Sequence, residues 1–167
     1  NGSKYLKDCL ESLKYQTYKN IEIVIIDDKS SDSSYKFLKI AKKRDKRIRL
    51  YRNVKRYGIV LTLNRLIKKA KGEYVGFLDP ADILHKDRIR RQIKYFLLNP
   101  QVLALGTQCI FVNKRNIKIE RSNFPRQNST IYSTSPLQGI SMQFETVLIN
   151  KNLLPKDILR LEENSRP

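Results

Sequence analysis

The sequence predicts an α/β domain, a three-layer sandwich of helices around a mostly parallel central sheet. Helical and strand patterns alternate over the first two-thirds of the 167 residues, as crossovers between parallel strands require. Residues 21–26 form an almost unbroken apolar run, which is typical of a strand covered on both faces. Because 167 residues suffice to bury one core, a single domain over 1–167 is expected.

The individual elements follow from the spacing of apolar residues and from turn and capping residues. From 121 to 139 the pattern gives way to serine, threonine, asparagine and proline, which predicts a surface loop. The predicted order is a helix capped by Ser3, strand 21–26, helix 33–43, strand 48–51, a helix between Gly58 and its C-cap Gly72, strand 74–78, helix 86–98, strands 102–105, 110–112 and 117–119, and a strand within 142–149.

The composition is strongly basic, with 34 Lys and Arg against 16 Asp and Glu and a formal net charge of +18. Such a surface favours anionic partners, although solvated helix faces account for most of these charges. Two cysteines do not make a disulfide framework, and this predicts a reducing, cytoplasmic setting. No apolar run approaches the ~20 residues that span a bilayer.

Acidic residues follow two separate predicted strands. Asp27 and Asp28 end the first, and Asp79 and Asp82 follow the third. In open α/β sheets, ligands bind beyond the carboxyl ends of the strands, where carboxylates accept hydrogen bonds from a ligand or hold a hard cation. Ser30, Ser31 and Asp32 are interpreted as capping groups of the next helix, and the other acids as candidate functional residues.

The segments 1–6 and 16–32, the second with its string Asp27-Asp28-Lys29-Ser30-Ser31-Asp32, resemble the amino-terminal half of a family 2 glycosyltransferase. Segments 58–82, 86–100 and 105–107 continue the resemblance in order and spacing. It covers 1–112 well and is faint beyond. It implies an inverting enzyme of GT-A (nucleotide-diphospho-sugar transferase) fold, Rossmann-like, with 1–112 as the nucleotide-sugar-binding half and 113–167 as a partial acceptor-side region.

The resemblance also implies roles for the acids. Asp27, Asp28 and Asp79 are expected at the nucleotide of a nucleotide-diphosphate sugar, often UDP-linked. Asp79 and Asp82 are expected at a Mg²⁺ or Mn²⁺ ion that neutralises the diphosphate as it leaves. The expected acceptor is a glycan or lipid-linked glycan in polysaccharide synthesis. The positive charge would suit peripheral association with the inner face of the membrane.

The sequence departs from the family pattern in three places. Of the usual first strand and Pro-x-Tyr-Asn-type turn only Asn1 remains, which suggests a truncated chain. Ala81 stands where the Asp-x-Asp motif has its second acid, so Asp82 has to compensate or metal affinity falls. The catalytic base is unassigned, since none of the late acids matches the family's motif; these acids are Asp157, Glu162 and Glu163.

Other polar residues are interpreted as structural. His85 precedes a predicted helix and is expected to be a surface or capping residue rather than a metal ligand. Arginine suits phosphate oxygens, but Arg88, Arg90 and Arg91 are expected on a solvated helix face.

Three alternatives to an active transferase stay open. The first is a catalytically inactive or fragmentary relative. The second is a receiver-like signalling domain, whose acids also lie at strand ends. The third is a basic nucleic-acid-binding module, although no specific nucleic-acid motif is present.

Overall fold

The computed structural model describes residues 1–126 and 142–154, and the predicted alternation of helices and strands is confirmed there. Helices and strands match the predicted order, with boundaries shifted by a few residues. The elements are α1 Leu6–Lys14, β1 Ile23–Asp27, α2 Ser34–Arg44, β2 Ile48–Arg52, α3 Ile59–Lys69, β3 Tyr74–Gly76, α4 Arg88–Leu98, β4 Ala104–Leu105, β5 Ile110–Val112, β6 Lys118–Arg121 and β7 Leu148–Asn150, with 3-10 turns at Phe144–Thr146 and Lys151–Leu153.

Strands β1 and β2 form the parallel part of the structure. Ile23 pairs with Ile48 and Asp27 with Arg52, so both strands end at the same edge. Helix α2 makes the crossover between them. The acidic end of β1 is therefore placed beside the last residue of β2.

The other described strand pairs are antiparallel. Strand β7 lies between β3 and β4 and runs antiparallel to both. Gly76 makes this approach possible, because a Cβ atom at this position would clash with Cδ2 of Leu148. Parallel pairing is thus confined, within 1–126 and 142–154, to β1 and β2.

The core of the second sheet is built around helix α4. Phe96 is 1% exposed and packs with Ile93 and Leu148. Its ring lies 4.8 Å from that of Tyr74 on β3. The hairpin of β5 and β6 projects from this core with every residue of its strands exposed. No helix in the described part of the chain is long and apolar enough to cross a membrane.

Three details of the prediction were wrong. Ser3 does not cap α1: the backbone amides of Tyr5 and Leu6 turn back to the carbonyl of Gly2, and no side chain caps the helix. Gly72 is not the C-cap of α3, because Ala70 leaves the helix in an extended conformation (φ −70°, ψ 126°). Strand β3 ends at Gly76, and Phe77 instead stacks on Phe144 at 4.8 Å.

Candidate functional site

Asp27 is the buried anchor at the end of β1. Its side chain is 1% exposed, and its carboxylate accepts hydrogen bonds from the Ser30 amide at 3.3 and 3.4 Å and from Nε of Arg52 at 3.0 Å. The Arg52 guanidinium lies 4.2 Å from the Tyr35 ring centroid, a cation–π distance. Asp27 and Arg52 together fix the turn that carries Asp28.

Asp28 organises the loop after β2. Its Oδ1 accepts hydrogen bonds from Nδ2 of Asn53 at 2.7 Å and from the Tyr57 amide at 2.9 Å, and its Oδ2 accepts one from the Gly58 amide at 2.9 Å. Gly58 has φ +82°, a conformation that favours glycine. Burial alone would raise the pKa of Asp28, but these hydrogen bonds and one from Thr62 hold it below its ordinary value. Asp28 is therefore a charged acceptor, half-buried at the strand edge.

Asp79 and Asp82 form a tight acidic turn after β3. Oδ1 of Asp79 accepts a hydrogen bond from the Ala81 amide at 2.8 Å, and its carbonyl accepts one from the Asp82 amide at 3.0 Å. Burial raises the pKa of Asp82, and the negative charges of Asp79 and Glu145 raise it further, against the opposing charge of Arg88. Neither acid forms an ion pair within residues 1–126 and 142–154, so no close cation of these residues neutralises the charge of the turn.

This charge fits a hard divalent cation, because carboxylate oxygens are its preferred ligands. In residues 1–126 and 142–154, no group of three or more acids, histidines and cysteines could hold a metal ion by itself. Asp79 and Asp82 therefore fit a cation whose remaining ligands come from water or from a bound phosphate, as is usual for Mg²⁺.

The amino terminus joins the two acidic regions. The Gly2 amide donates to Oγ of Ser34 at 3.0 Å, and the Ser3 amide donates to Asp32 at 3.2 Å, both at the start of α2. On its other side Gly2 faces Pro80, whose Cβ would lie 3.3 Å from a Cβ added to the glycine. The loop after β1 and the acidic turn after β3 thus belong to one edge of the fold. Asp32 accepts a hydrogen bond from the Ser34 amide, which agrees with its interpretation as a capping residue.

Helix α1 positions the segment that follows the acidic turn, a role that the sequence analysis missed. Gln16 is 0% exposed; its Nε2 donates to the carbonyls of Ser12 and His85, and its Oε1 accepts from the Ile89 amide. Oγ of Ser12 accepts from the Leu84 amide at 3.1 Å. Ser12 lies on α1, whereas Gln16 follows the end of the helix, so helical spacing in the sequence gave no signal for this pair.

His85 is exposed, as expected of a surface residue, and its Nδ1 accepts a hydrogen bond from the amide of Asp87, the residue before α4, at 3.3 Å. Arg90 and Arg91 are exposed, and Arg90 pairs with Asp87 at 3.0 Å. The expectation of a solvated face was wrong for Arg88, which is half-buried.

Arg88 is held by a second buried glutamine. Its Nε donates to Oε1 of Gln92 at 3.1 Å. Gln92 is 2% exposed, and its Nε2 donates to the carbonyls of Leu105 and Thr146. Burial lowers the pKa of Arg88, against the opposing effect of Asp82. The late acids, none of which was assigned as the catalytic base, lie outside the described residues; these are Asp157, Glu162 and Glu163.

Similar proteins of known family cover nearly the whole chain. A glycosyltransferase of Rickettsia felis is 36% identical over 162 residues, covering 95% of this chain and 26% of its own length. A glycosyltransferase of Haemophilus influenzae is 30% identical over 152 residues, covering 90% of this chain and 59% of its own length. The chain thus spans only part of these relatives.

Solved structures confirm the GT-A fold. A mannosyltransferase from Pyrobaculum calidifontis, solved with GDP-Man and Mn²⁺, matches with a TM-score of 0.65 at 16% identity, over 91% of this chain and 42% of its own. S. aureus TarS 1-349, solved with UDP-GlcNAc, matches with a TM-score of 0.62 at 21% identity, over 89% of this chain and 42% of its own.

The family model for glycosyl transferase family 2 matches residues 1–152. The predicted resemblance is confirmed, and neither a receiver-like domain nor a dedicated nucleic-acid-binding module describes the chain. On its sequence match and on the placement of its acids at one edge of an α/β fold, the chain belongs to glycosyl transferase family 2.

Proposed function

We propose that the chain is the donor-binding part of a glycosyltransferase, which transfers a sugar from a nucleotide-diphosphate donor, UDP-linked, to a glycan or lipid-linked acceptor. The observation that carries this proposal is that residues 1–3 contact both the segment after β1, which contains Asp28, and the acidic turn of Asp79 and Asp82. TarS was solved with UDP and with UDP-GlcNAc, and the mannosyltransferase with GDP-Man. We take uridine, as in TarS, as the nucleoside to test first.

Each acid has its own part in the proposed site. Asp28 is a charged acceptor for the base or ribose, and Asp27 keeps it in place through Arg52 and Ser30. Asp79 contacts the ribose and, with Asp82, would hold Mg²⁺ or Mn²⁺. When bound, the metal would neutralise the diphosphate leaving group. The chain's own contribution is to fix the turn, through the Ala81 amide and the contacts of Gln16.

Ala81 is the residue at which the proposed metal site lacks the second acid of the Asp-x-Asp motif. It is exposed, and its amide, rather than a side chain, faces Asp79. An inactive relative that keeps the fold would show the same feature, and metal-dependent binding distinguishes the two. Replacing Ala81 by Asp adds a third carboxylate and is expected to tighten Mn²⁺-dependent UDP binding.

The experiment is calorimetric titration of UDP into the protein with and without Mn²⁺. We expect binding that requires the metal and is abolished in Asp79→Ala. Asp8→Ala is the matched control, since it removes an exposed carboxylate on α1 outside the site. Unchanged affinity in Asp79→Ala would remove this residue from the site, and no binding to the folded wild-type protein would contradict the proposal.

The proposal for the acceptor rests on the net charge of the protein together with its family. With a net charge of +18, the protein would suit an anionic surface, and we propose peripheral association at the inner face of the cytoplasmic membrane during polysaccharide synthesis. Sedimentation with vesicles of anionic lipid, and none with neutral vesicles, is the expected result. Equal sedimentation with both would contradict an electrostatic association.

A further inference from the structure

Arg88 carries a half-buried charge at the first residue of α4. Four arginines each pair with an acid within 4 Å; these are Arg47, Arg49, Arg52 and Arg90. Arg88 makes no such ion pair with residues 1–126 or 142–154. It is also less exposed than Arg90 and Arg91 on the same helix. A half-buried cation without an ion pair is partly desolvated at a cost in free energy, so this position favours the binding of an anion.

The guanidinium is fixed before any ligand arrives. Its Nε is bound by Gln92, which is held in turn by two backbone carbonyls. One of these carbonyls belongs to Thr146, next to Glu145, and the other to Leu105 on β4. The Nε bond leaves both terminal amino groups of the fork without a partner in the described ranges. A planar fork held in this way binds phosphate oxygens without losing further side-chain freedom.

The acidic turn is the neighbour of this group. Arg88 and Asp82 are close enough for each to shift the pKa of the other, yet they form no direct ion pair. Asp82 therefore does not occupy the fork. Packing also links Arg88 to the acidic turn, because Gln92 bonds to Thr146 in the 3-10 turn whose Phe144 stacks on Phe77, two residues before Asp79. A diphosphate bound beside the turn would bring to Arg88 the negative charge that it lacks.

We propose that Arg88 is a phosphate-binding residue of the donor site, held in place by Gln92 as a positioning residue. The inference rests on the proposed function, because the acidic turn is taken as the place of the diphosphate. Arg88 would contribute to binding only when the ligand carries phosphate, and it would leave the contacts of the nucleoside unchanged.

The test compares UDP with uridine in the presence of Mn²⁺, by calorimetry for UDP and ligand-observed NMR for uridine. In Arg88→Gln we expect UDP binding to weaken by about 10- to 100-fold, the range for a hydrogen bond to a charged group, with uridine unchanged. Arg88→Lys keeps the charge without the planar fork, and its affinity for UDP should lie between those of the wild type and Arg88→Gln. Arg91→Gln, which removes an exposed charge from the same helix, should match the wild type.

Four results would overturn the inference. Equal weakening of UDP and uridine in Arg88→Gln would assign the residue a structural role only. Tighter Mn²⁺ binding with an unchanged ratio of the two affinities would make Arg88 a counter-ion of Asp82. If the wild type binds neither ligand, the proposed function fails as well. A normal wild-type preference for UDP that survives in Arg88→Gln and Arg88→Lys contradicts this inference alone.

Discussion

Replacing Asp28 by asparagine removes one charge at the centre of the proposed nucleotide site and keeps the size of the side chain. In the wild type, Oδ1 accepts hydrogen bonds from Asn53 and Tyr57, and Oδ2 accepts one from Gly58. The amide of asparagine has a single oxygen. Its best orientation keeps the two bonds at Oδ1 and turns an NH₂ group towards the Gly58 amide, which loses its partner.

The size of the effect follows from these three bonds. A hydrogen bond to a charged group contributes about 1.5–3 kcal/mol and a neutral one about 1 kcal/mol, so the two retained bonds each lose about 1 kcal/mol. Gly58 is exposed, and water can replace its lost partner. The expected loss in free energy of unfolding is about 2 kcal/mol, or a Tm lower by about 4–8 °C for a chain of this length.

Urea unfolding at a series of pH values measures the effect, with Asp8→Asn as the control that removes an exposed carboxylate. The pKa of Asp28 is lower in the folded protein than its ordinary value of 3.8, so its contribution is complete above this value and is lost as the pH falls through the folded pKa. The gap between wild type and Asp28→Asn should therefore be full at pH 7 and narrow below about pH 4.

Two results would refute this reasoning. The first is a stability of Asp28→Asn equal to that of Asp8→Asn at pH 7. The second is a gap that persists unchanged at the lowest pH at which both proteins fold, since it would not depend on the charge of Asp28.

Three further predictions concern the buried parts of the structure. Gly76→Ala should lower the free energy of unfolding by about 1–3 kcal/mol, because its methyl group meets Leu148; an unchanged urea midpoint would show that the β3–β7 contact is looser than described. Gln16→Leu should lower the free energy of unfolding by about 2–4 kcal/mol, because its backbone partners lose their hydrogen bonds. An unchanged urea midpoint would contradict the proposed role of Gln16 in holding the segment after the acidic turn. Burial, with the charges of Asp82 and Asp79, raises the pKa of the Cys9 thiol to about 12; iodoacetamide at pH 8 should therefore modify Cys109 first, and mass spectrometry showing equal rates would be the contrary outcome.

The sequence was sufficient for the elements whose signals are local. The apolar run that ends at Asp27 predicted β1 and the placement of its acids, because a buried strand and an abrupt polar end lie within a few residues. The apolar spacing of α4 likewise predicted the helix that buries Ile93 and Phe96. In both cases one short segment carries the whole pattern.

Features that depend on distant segments were not predicted. The antiparallel pairing of β7 with β3 joins residues about 70 positions apart, and the sequence of 148–150 does not indicate which strands it pairs with. Gln92 is a polar residue of α4 that is buried where its amide bonds to Leu105 of β4 and to Thr146, and half-buried Arg88 is held through it. A polar residue near the edge of an apolar stripe has no sequence signal for burial until the covering segment is known.

The insertion of β7 between β3 and β4 also determines the order in which the strands can pair during synthesis. Strands β1 and β2 lie within 30 residues of each other and can pair as soon as both have left the ribosome. Strand β3 has to wait for residue 150, roughly 4–15 s later at ordinary elongation rates. Throughout that interval β3 and β4 present open edges, which are sites for pairing with other chains. The half of the site near Asp28 can thus form on the nascent chain, whereas the half near Asp79 is completed only after β7 has been synthesised.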